Sequence, residues 1–250
     1  MKKFTRLSNL VLLATAFASA SVFAEEVLGD KSPWAGGAEL SANISTGNTD
    51  IQTLGATAFV DYRASLLNTT LKAGFLRNRT DGKERNRDIR SSLRTGMNVT
   101  DHLDFFGLGQ YNENKFRGLD KQWLAELGLG LYAFNNDMHS LRLEGGAGFL
   151  TENYFPTTLN PYFRTFGIYT GGLAYRLKIS EIADLTDDVL MINNFKNSTD
   201  WRIQNVAALS SRMTSILSLK LSYSTEYRHV AIPGYKHADN ITAAAIVAKF

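Results

Sequence analysis

Hydrophobic and polar residues alternate through long stretches of this chain. Between Leu217 and Arg228, Leu217, Leu219, Leu221, Tyr223 and Tyr227 alternate with Ser218, Lys220, Ser222, Ser224, Glu226 and Arg228, so an extended segment there has one greasy face and one hydrophilic face. The same pattern sets Ile89, Leu93 and Met97 against Arg90, Ser92 and Arg94. It recurs with Leu141, Leu143 and Phe149 against Arg142 and Glu144, and with Leu173, Tyr175 and Leu177 against Arg176 and Lys178. A soluble sandwich also alternates, but its strands are shorter, whereas these segments run about ten residues or more, the length that crosses a bilayer at a tilt. Beyond residue 24 no run approaches the ~20 apolar residues of a spanning helix. A passage through membrane by this chain therefore requires a closed barrel, the other structure that satisfies its own backbone.

Segment by segment, the pattern predicts strands near 34–46, 51–63, 67–79, 87–99, 103–114, 121–133, 139–152, 164–178, 188–198, 200–212, 215–229 and 239–250. The fold expected is all-β, a transmembrane antiparallel up-and-down barrel of about twelve strands, with short turns at the periplasmic rim and longer loops outside. Two connections depart from that rule: Gly47-Asn48-Thr49-Asp50 is a tight outer turn, and Ile179 to Asp187 a long acidic inner one. All four prolines (Pro33, Pro156, Pro161, Pro233) fall outside the strands, as a residue that cannot donate to a ladder must. Trp34, Trp123 and Trp201 each open a strand, where interfacial girdles lie.

Residues 1–24 divide into a basic start (Lys2, Lys3, Arg6), an apolar run from Leu10 to Phe17 and small residues ending Val22-Phe23-Ala24. These are the regions of a secretory signal, with cleavage expected after Ala24. Residues 25–33 then form a short periplasmic lead and 34–250 the barrel. The whole chain has 27 Lys+Arg and 24 Asp+Glu. The signal holds three of those bases and no acid, so the remainder is neutral, 24 against 24, and no nucleic-acid partner is implied. There is no cysteine, which excludes disulfides, thiolate metal sites and cysteine lipidation.

Three segments resemble the salt-induced outer-membrane protein family (YdiY-like, of unassigned biochemical role). They are Trp34-Ala35-Gly36-Gly37-Ala38-Glu39-Leu40 with Thr46-Gly47-Asn48-Thr49-Asp50; Asn112 to Asp120; and Pro233-Gly234-Tyr235-Lys236-His237-Ala238-Asp239 leading into Lys249-Phe250. The resemblance implies location in the cell outer membrane and a link to salt stress, and no reaction. The alternating carboxyl end, Ile246 to Phe250, resembles the sorting signal read by barrel-assembly machinery. Outer-membrane lipid, with lipopolysaccharide against the basic outer segment Arg77, Arg79, Lys83, Arg85 and Arg87, completes the expected partners.

Chemistry is hard to find. His139 and Ser140 are adjacent on one strand and point to opposite faces, so they cannot act as base and nucleophile. Gly-x-Ser-x-Gly is absent, and no histidine pair has zinc spacing. His229, His237 and Asp239, with Ser224 and Glu226 one strand away, form the best constellation for an outer-membrane hydrolase, and it lacks an orienting third group. His102 falls on the periplasmic rim. No enzyme and no cofactor are expected.

What remains is the lumen. Arg63, Lys72, Arg90, Arg94, Arg142, Arg176, Lys178, Arg202, Lys220, Arg228 and Lys249 face inward with Glu39, Asp61, Glu126, Glu144 and Glu226, eleven bases to five acids with the 103–114 strand left out. Gly128, Gly130, Gly146 and Gly148 make one wall smooth. Twelve strands lie between barrels filled by side chains and those holding a channel. The expectation is a narrow solute pore, weakly anion-preferring, or an envelope-maintenance barrel. The alternative is a lumen plugged by Glu126 and Glu144 pairing with Arg142, Arg176 and Arg202.

Overall fold

A computed structural model describes residues 32–45, 51–81, 83–114, 118–154, 163–232 and 235–249. The expected signal, its cleavage point at Ala24 and the terminal Phe250 lie outside the described residues. Twelve antiparallel strands follow one another: β1 (Trp34–Ser45), β2 (Ile51–Arg63), β3 (Leu67–Thr80), β4 (Lys83–Asn98), β5 (Leu103–Asn114), β6 (Leu119–Asn135), β7 (His139–Tyr154), β8 (Phe163–Lys178), β9 (Ala183–Asn194), β10 (Trp201–Arg212), β11 (Leu217–Arg228) and β12 (Ala238–Lys249). Each pairs with its sequence neighbours, and β12 returns to β1, closing an up-and-down barrel.

Alternation decides what each face meets. On β11, Leu217, Leu219, Leu221 and Tyr223 are exposed on the outside, while Ser218, Ser222, Ser224, Glu226 and Arg228 are buried inside. Around the wall Leu40, Leu54, Leu71, Leu93, Leu127, Leu129, Phe149, Leu173 and Ile246 continue the exposed apolar band, a surface that suits hydrocarbon. Tilted aromatic pairs frame it, Trp34 with Tyr62 (ring centroids 4.8 Å apart) at one rim and Tyr111 with Trp123 (4.6 Å) and Trp201 with Tyr227 (5.2 Å) at the other.

One rim is made of short turns with a shared construction. Backbone N–H groups of Thr100, Asn136, Ser180 and Thr214 each donate to the carbonyl three residues on. The side-chain oxygens of Thr100, Asn136 and Thr214 in turn accept the N–H of Leu103, His139 and Leu217. Such Asx and ST turns are the local chemistry these residues favour.

Two regions differ most from the sequence reading, and β9 also ends at Asn194, four residues short of its expected end. β9 begins at Ala183, so Ile179–Ile182 is another short turn and the expected long acidic connection does not exist. Two of its three acids are strand residues, with Glu181 left in the turn: Asp184 meets Arg176 (3.1 Å) and Asp187 accepts from Asn205 (2.6 Å), so a partner waits for each. β3 and β4 continue beyond the expected loop 80–86 into a two-residue connection at 81–82. Asp81 has φ 50°, as the Asp-Gly form of a tight hairpin requires.

Candidate functional site

Two Arg–carboxylate networks and a greasy cluster occupy the lumen. Near the long-loop rim Glu152, 0% exposed, is the hub of the first. Its carboxylate accepts Arg202 from β10 (2.5 and 2.9 Å), Arg228 from β11 (3.2 Å), Arg164 from β8 (2.7 Å) and Gln122 from β6 (2.8 Å). Tyr154 donates to the same carboxylate (2.5 Å), and Arg164 also reaches Asp200 (2.7 Å). On the far side Arg90 pairs with Asp88 (2.7 Å) and approaches Glu226 at 4.0 Å, and Asn114 donates to Asp88 (2.8 Å). Since Glu226 and Arg228 share β11, the charges form a crossbar from β4 and β5 to β7, β8 and β10. Its members balance, with Arg90, Arg164, Arg202 and Arg228 against Asp88, Glu152, Asp200 and Glu226.

The second network lies toward the short-turn rim. Arg94 and Arg142 clasp Asp104 from both sides (2.8 and 2.7 Å), and both also meet Glu144 (3.0 and 2.8 Å). The guanidinium of Arg94 lies 4.4 Å over the Phe106 ring and that of Arg142 4.9 Å over Tyr132, while in the crossbar Arg164 lies 4.6 Å over Phe166. A planar guanidinium can stack and fork at once, which an ammonium cannot. Between the networks Leu124, Leu150, Phe166, Ile168, Leu190 and Ile192 pack together on the inner faces of β6 to β9. These side chains are buried, and polar groups packed beside them call for partners.

The inward glycines make this filling possible. A Cβ at Gly130 would meet the Arg142 guanidinium and the Asp104 carboxylate, one at Gly146 would meet the Glu126 carboxylate, and one at Gly128 the Phe106 ring. The smooth wall is thus occupied by neighbouring side chains.

Of the residues singled out in the sequence, the fold brings Arg94, Arg142 and Glu144 into one network and Arg90, Arg202, Glu226 and Arg228 into the other. Glu126 instead accepts the hydroxyl of Thr170 (2.5 Å), Arg176 pairs locally with Asp184, and Lys220 pairs with Glu39 (2.9 Å). Asp61 accepts from Thr70 (2.6 Å), and Lys72 faces the lumen within electrostatic reach of Asp61, Asp188 and Lys220. Arg63 and Lys178 are exposed at the short-turn rim, where Lys249 lines a shallow hollow with Asp184 and Arg212. The central acids Glu152 and Asp104 were missed, although both fall on inward positions of the two-residue period. Six inward acids (Asp88, Asp104, Glu152, Asp184, Asp188, Asp239) and two inward bases (Arg164, Arg212) join the eleven and five counted from sequence. At thirteen to eleven on the strands the basic surplus has nearly gone, and with it the ground for the expected weak anion preference.

The histidines are engaged elsewhere. His139 Nδ1 lies 2.8 Å from the Tyr175 hydroxyl. His229 stacks on Trp201 (5.1 Å), and His237 Nδ1 lies 2.9 Å from the Arg228 carbonyl. Ser224 and Glu226 face the lumen, while the Trp201, Tyr227, His229 and His237 rings gather at the outer face of the same rim. On the basic hairpin Arg77 pairs with Glu84 (2.7 Å) and Arg87 with Glu113 (2.7 Å).

Solved barrels share this architecture at low identity. The NanC porin aligns with 86% of this chain and 98% of its own at TM-score 0.52 and 10% identity. The COG4313 outer membrane channel from Pseudomonas putida F1 aligns with 92% of this chain and 100% of its own at TM-score 0.51 and 9% identity. At such identities the likeness is one of fold. No curated protein matches the sequence. Residues 38–250 match the family described as "Protein of unknown function, DUF481", and the chain belongs to that family.

Proposed function

We propose that this chain is an outer-membrane barrel whose lumen is a narrow passage for small solutes, shut in the conformation described. The observation that carries this reading is the crossbar. Paired charges contributed by opposite walls close a lumen by side chains alone, and side chains can part where a folded-in plug domain cannot. A porin and a channel of the same fold support the reading, and the apolar band with its aromatic girdles supports the membrane location. The signal at 1–24, removed after Ala24, and the sorting role of Phe250 belong to the same proposal, as does lipopolysaccharide contact through the exposed Arg79 and Lys83. The physiological setting proposed, from the resemblance to the salt-induced family, is envelope maintenance under osmotic stress. Loss of the gene should then slow growth in high salt.

Single-channel recording on refolded protein tests the pore. The native barrel should open rarely and with small conductance, and Glu152→Gln should open more often, because three guanidiniums lose the charge that gathers them. If verified folded barrels of both forms stay silent, the solute passage is wrong. The second reading, a permanently plugged structural barrel, then stands, favoured by the same closed network.

A further inference from the structure

The closing seam of the barrel is incomplete. β1 and β12 pair from Gly37 with Lys249 to Leu40 with Ile246 and, among the described residues, no further. Yet β1 is paired to β2 along its whole length, Trp34 to Ser45, and β12 to β11 from Ala238 to Ala248. Continuing the seam register would set Ser41 opposite Ala245 and Ala42 opposite Ala244. Ala42 lies beside Leu54 of β2 and Ala244 beside Leu221 of β11, both exposed on the outer face, so the unpaired stretch falls within the apolar band. Backbone groups left unpaired in hydrocarbon are unfavourable by several kcal/mol each. This part of the wall has unmet hydrogen-bonding capacity where lipid would touch it.

Behind the gap the lumen is lined by small side chains, with Ser41, Ser222, Ala243 and Ala245 all buried. The hydroxyl of Ser41, a residue 5% exposed, has no hydrogen-bond partner. On the same register row Lys220 extends into the lumen beside Ala245. Axial exit on the long-loop side is barred by the crossbar, which leaves the short-turn rim and the seam as the ways out of this half of the lumen.

We propose that the seam between β1 and β12 is a lateral doorway, through which a slender single-chain amphiphile passes between the surrounding hydrocarbon and the lumen. The Ser41 hydroxyl takes its polar head, on the same register row as the Lys220 ammonium that Glu39 holds at 2.9 Å, and its tail passes over the small side chains of Ala243 and Ala245. The inference rests on the membrane location proposed above and is independent of axial conductance.

The native chain has no cysteine, which makes a disulfide lock clean. Ala42→Cys with Ala244→Cys spans the gap, and Ala58→Cys with Ala73→Cys, opposite one another on β2 and β3, spans a fully paired seam as control. Heat-modifiable migration in both redox states first establishes the inserted barrel, and its absence in the native chain would count against the membrane location itself. Proteoliposomes are then irradiated with a diazirine-bearing single-chain carboxylate and the adducts are mapped. Labelling of lumen-facing Ser222, Ala243 and Ala245 is expected in the reduced protein, lost in the 42–244 disulfide and unchanged in the control. Lipid-facing Leu221 and Ile246 should stay labelled throughout. Ser41→Leu, which fills the doorway without a crosslink, should lower the same lumen labelling. Lumen labelling that survives the lock, is absent from the reduced protein or disappears equally in the control overturns the doorway, as does a 42–244 disulfide that never forms.

Discussion

At mid-height the lumen wall from β5 to β9 carries a cluster of large apolar side chains, and from β11 through β12 to β2 it carries mostly small ones. The first half holds the Leu150 and Ile168 cluster between two guanidinium layers, each side chain touching others from neighbouring strands. The second presents Ser222, Ala243, Ser41 and Thr53, and its seam is the short one. Side-chain volume and the extent of strand pairing together separate a wall that acts as a core from a wall that can yield. Packing density makes the first half intolerant of change, and the second has little to lose.

The largest test of that contrast is Glu152→Ala. Removing a fully buried carboxylate shared by three guanidiniums should destabilise the folded barrel by about 3–5 kcal/mol, read as a lower temperature for loss of the heat-modifiable form. Glu39→Ala, which leaves one ammonium rather than three guanidiniums without its carboxylate, should lose less, about 1–2 kcal/mol. Equal losses would break the comparison.

Cavity formation comes next. Leu150→Ala and Ile168→Ala should each lose about 2–5 kcal/mol in chemical unfolding in detergent. Ser222→Ala, which removes one small oxygen from the opposite wall, should fall within about 0.5 kcal/mol.

Overpacking sharpens the contrast from the other side. At Gly130 an added methyl group meets Arg142 and Asp104, so Gly130→Ala should lose about 1–3 kcal/mol. Gly171, on the exposed outer face of β8 where a Cβ meets nothing within 4 Å, should accept alanine with no measurable change in melting.

The smallest effect is expected outside the lumen. Replacing Arg79 and Lys83 together should change stability by no more than about 0.5 kcal/mol, while reducing the lipopolysaccharide that co-purifies with the barrel. Full retention of that lipid would remove the proposed contact and leave the lumen comparison intact.

Strand number, order and facing were legible in the sequence because the two-residue period is a local property. A strand such as 217–228 states its own inside and outside. The errors came where that signal competes with another. Asp184 and Asp187 read as a loop because acids are poor strand formers alone, and only Arg176 and Asn205 on neighbouring strands make them strand residues. The hairpin at 81–82 was missed although Asp81-Gly82 is a strong turn signal, since the surrounding charges looked like a solvated loop. In the lumen, the inward position of each charge could be read, but its partner could not. Glu152 meets Arg202 and Arg228, 50 and 76 residues away, and no pattern within a strand encodes which opposite wall a side chain reaches. The short seam was likewise invisible, being a relation between the two ends of the barrel.

The clasp between Glu39 and Lys220 joins residues 181 positions apart and bridges β12, which lies between them. Bringing such distant segments together carries the largest loop-closure entropy in the molecule, and contacts of high sequence separation form late. Closure should therefore be the slow final event of assembly and its reversal the first event of unfolding, with β1 parting from β12 while the Glu152 half is still intact. A barrel built this way has a lifetime set by one ion pair and a few backbone bonds, even though its equilibrium stability resides on the other side.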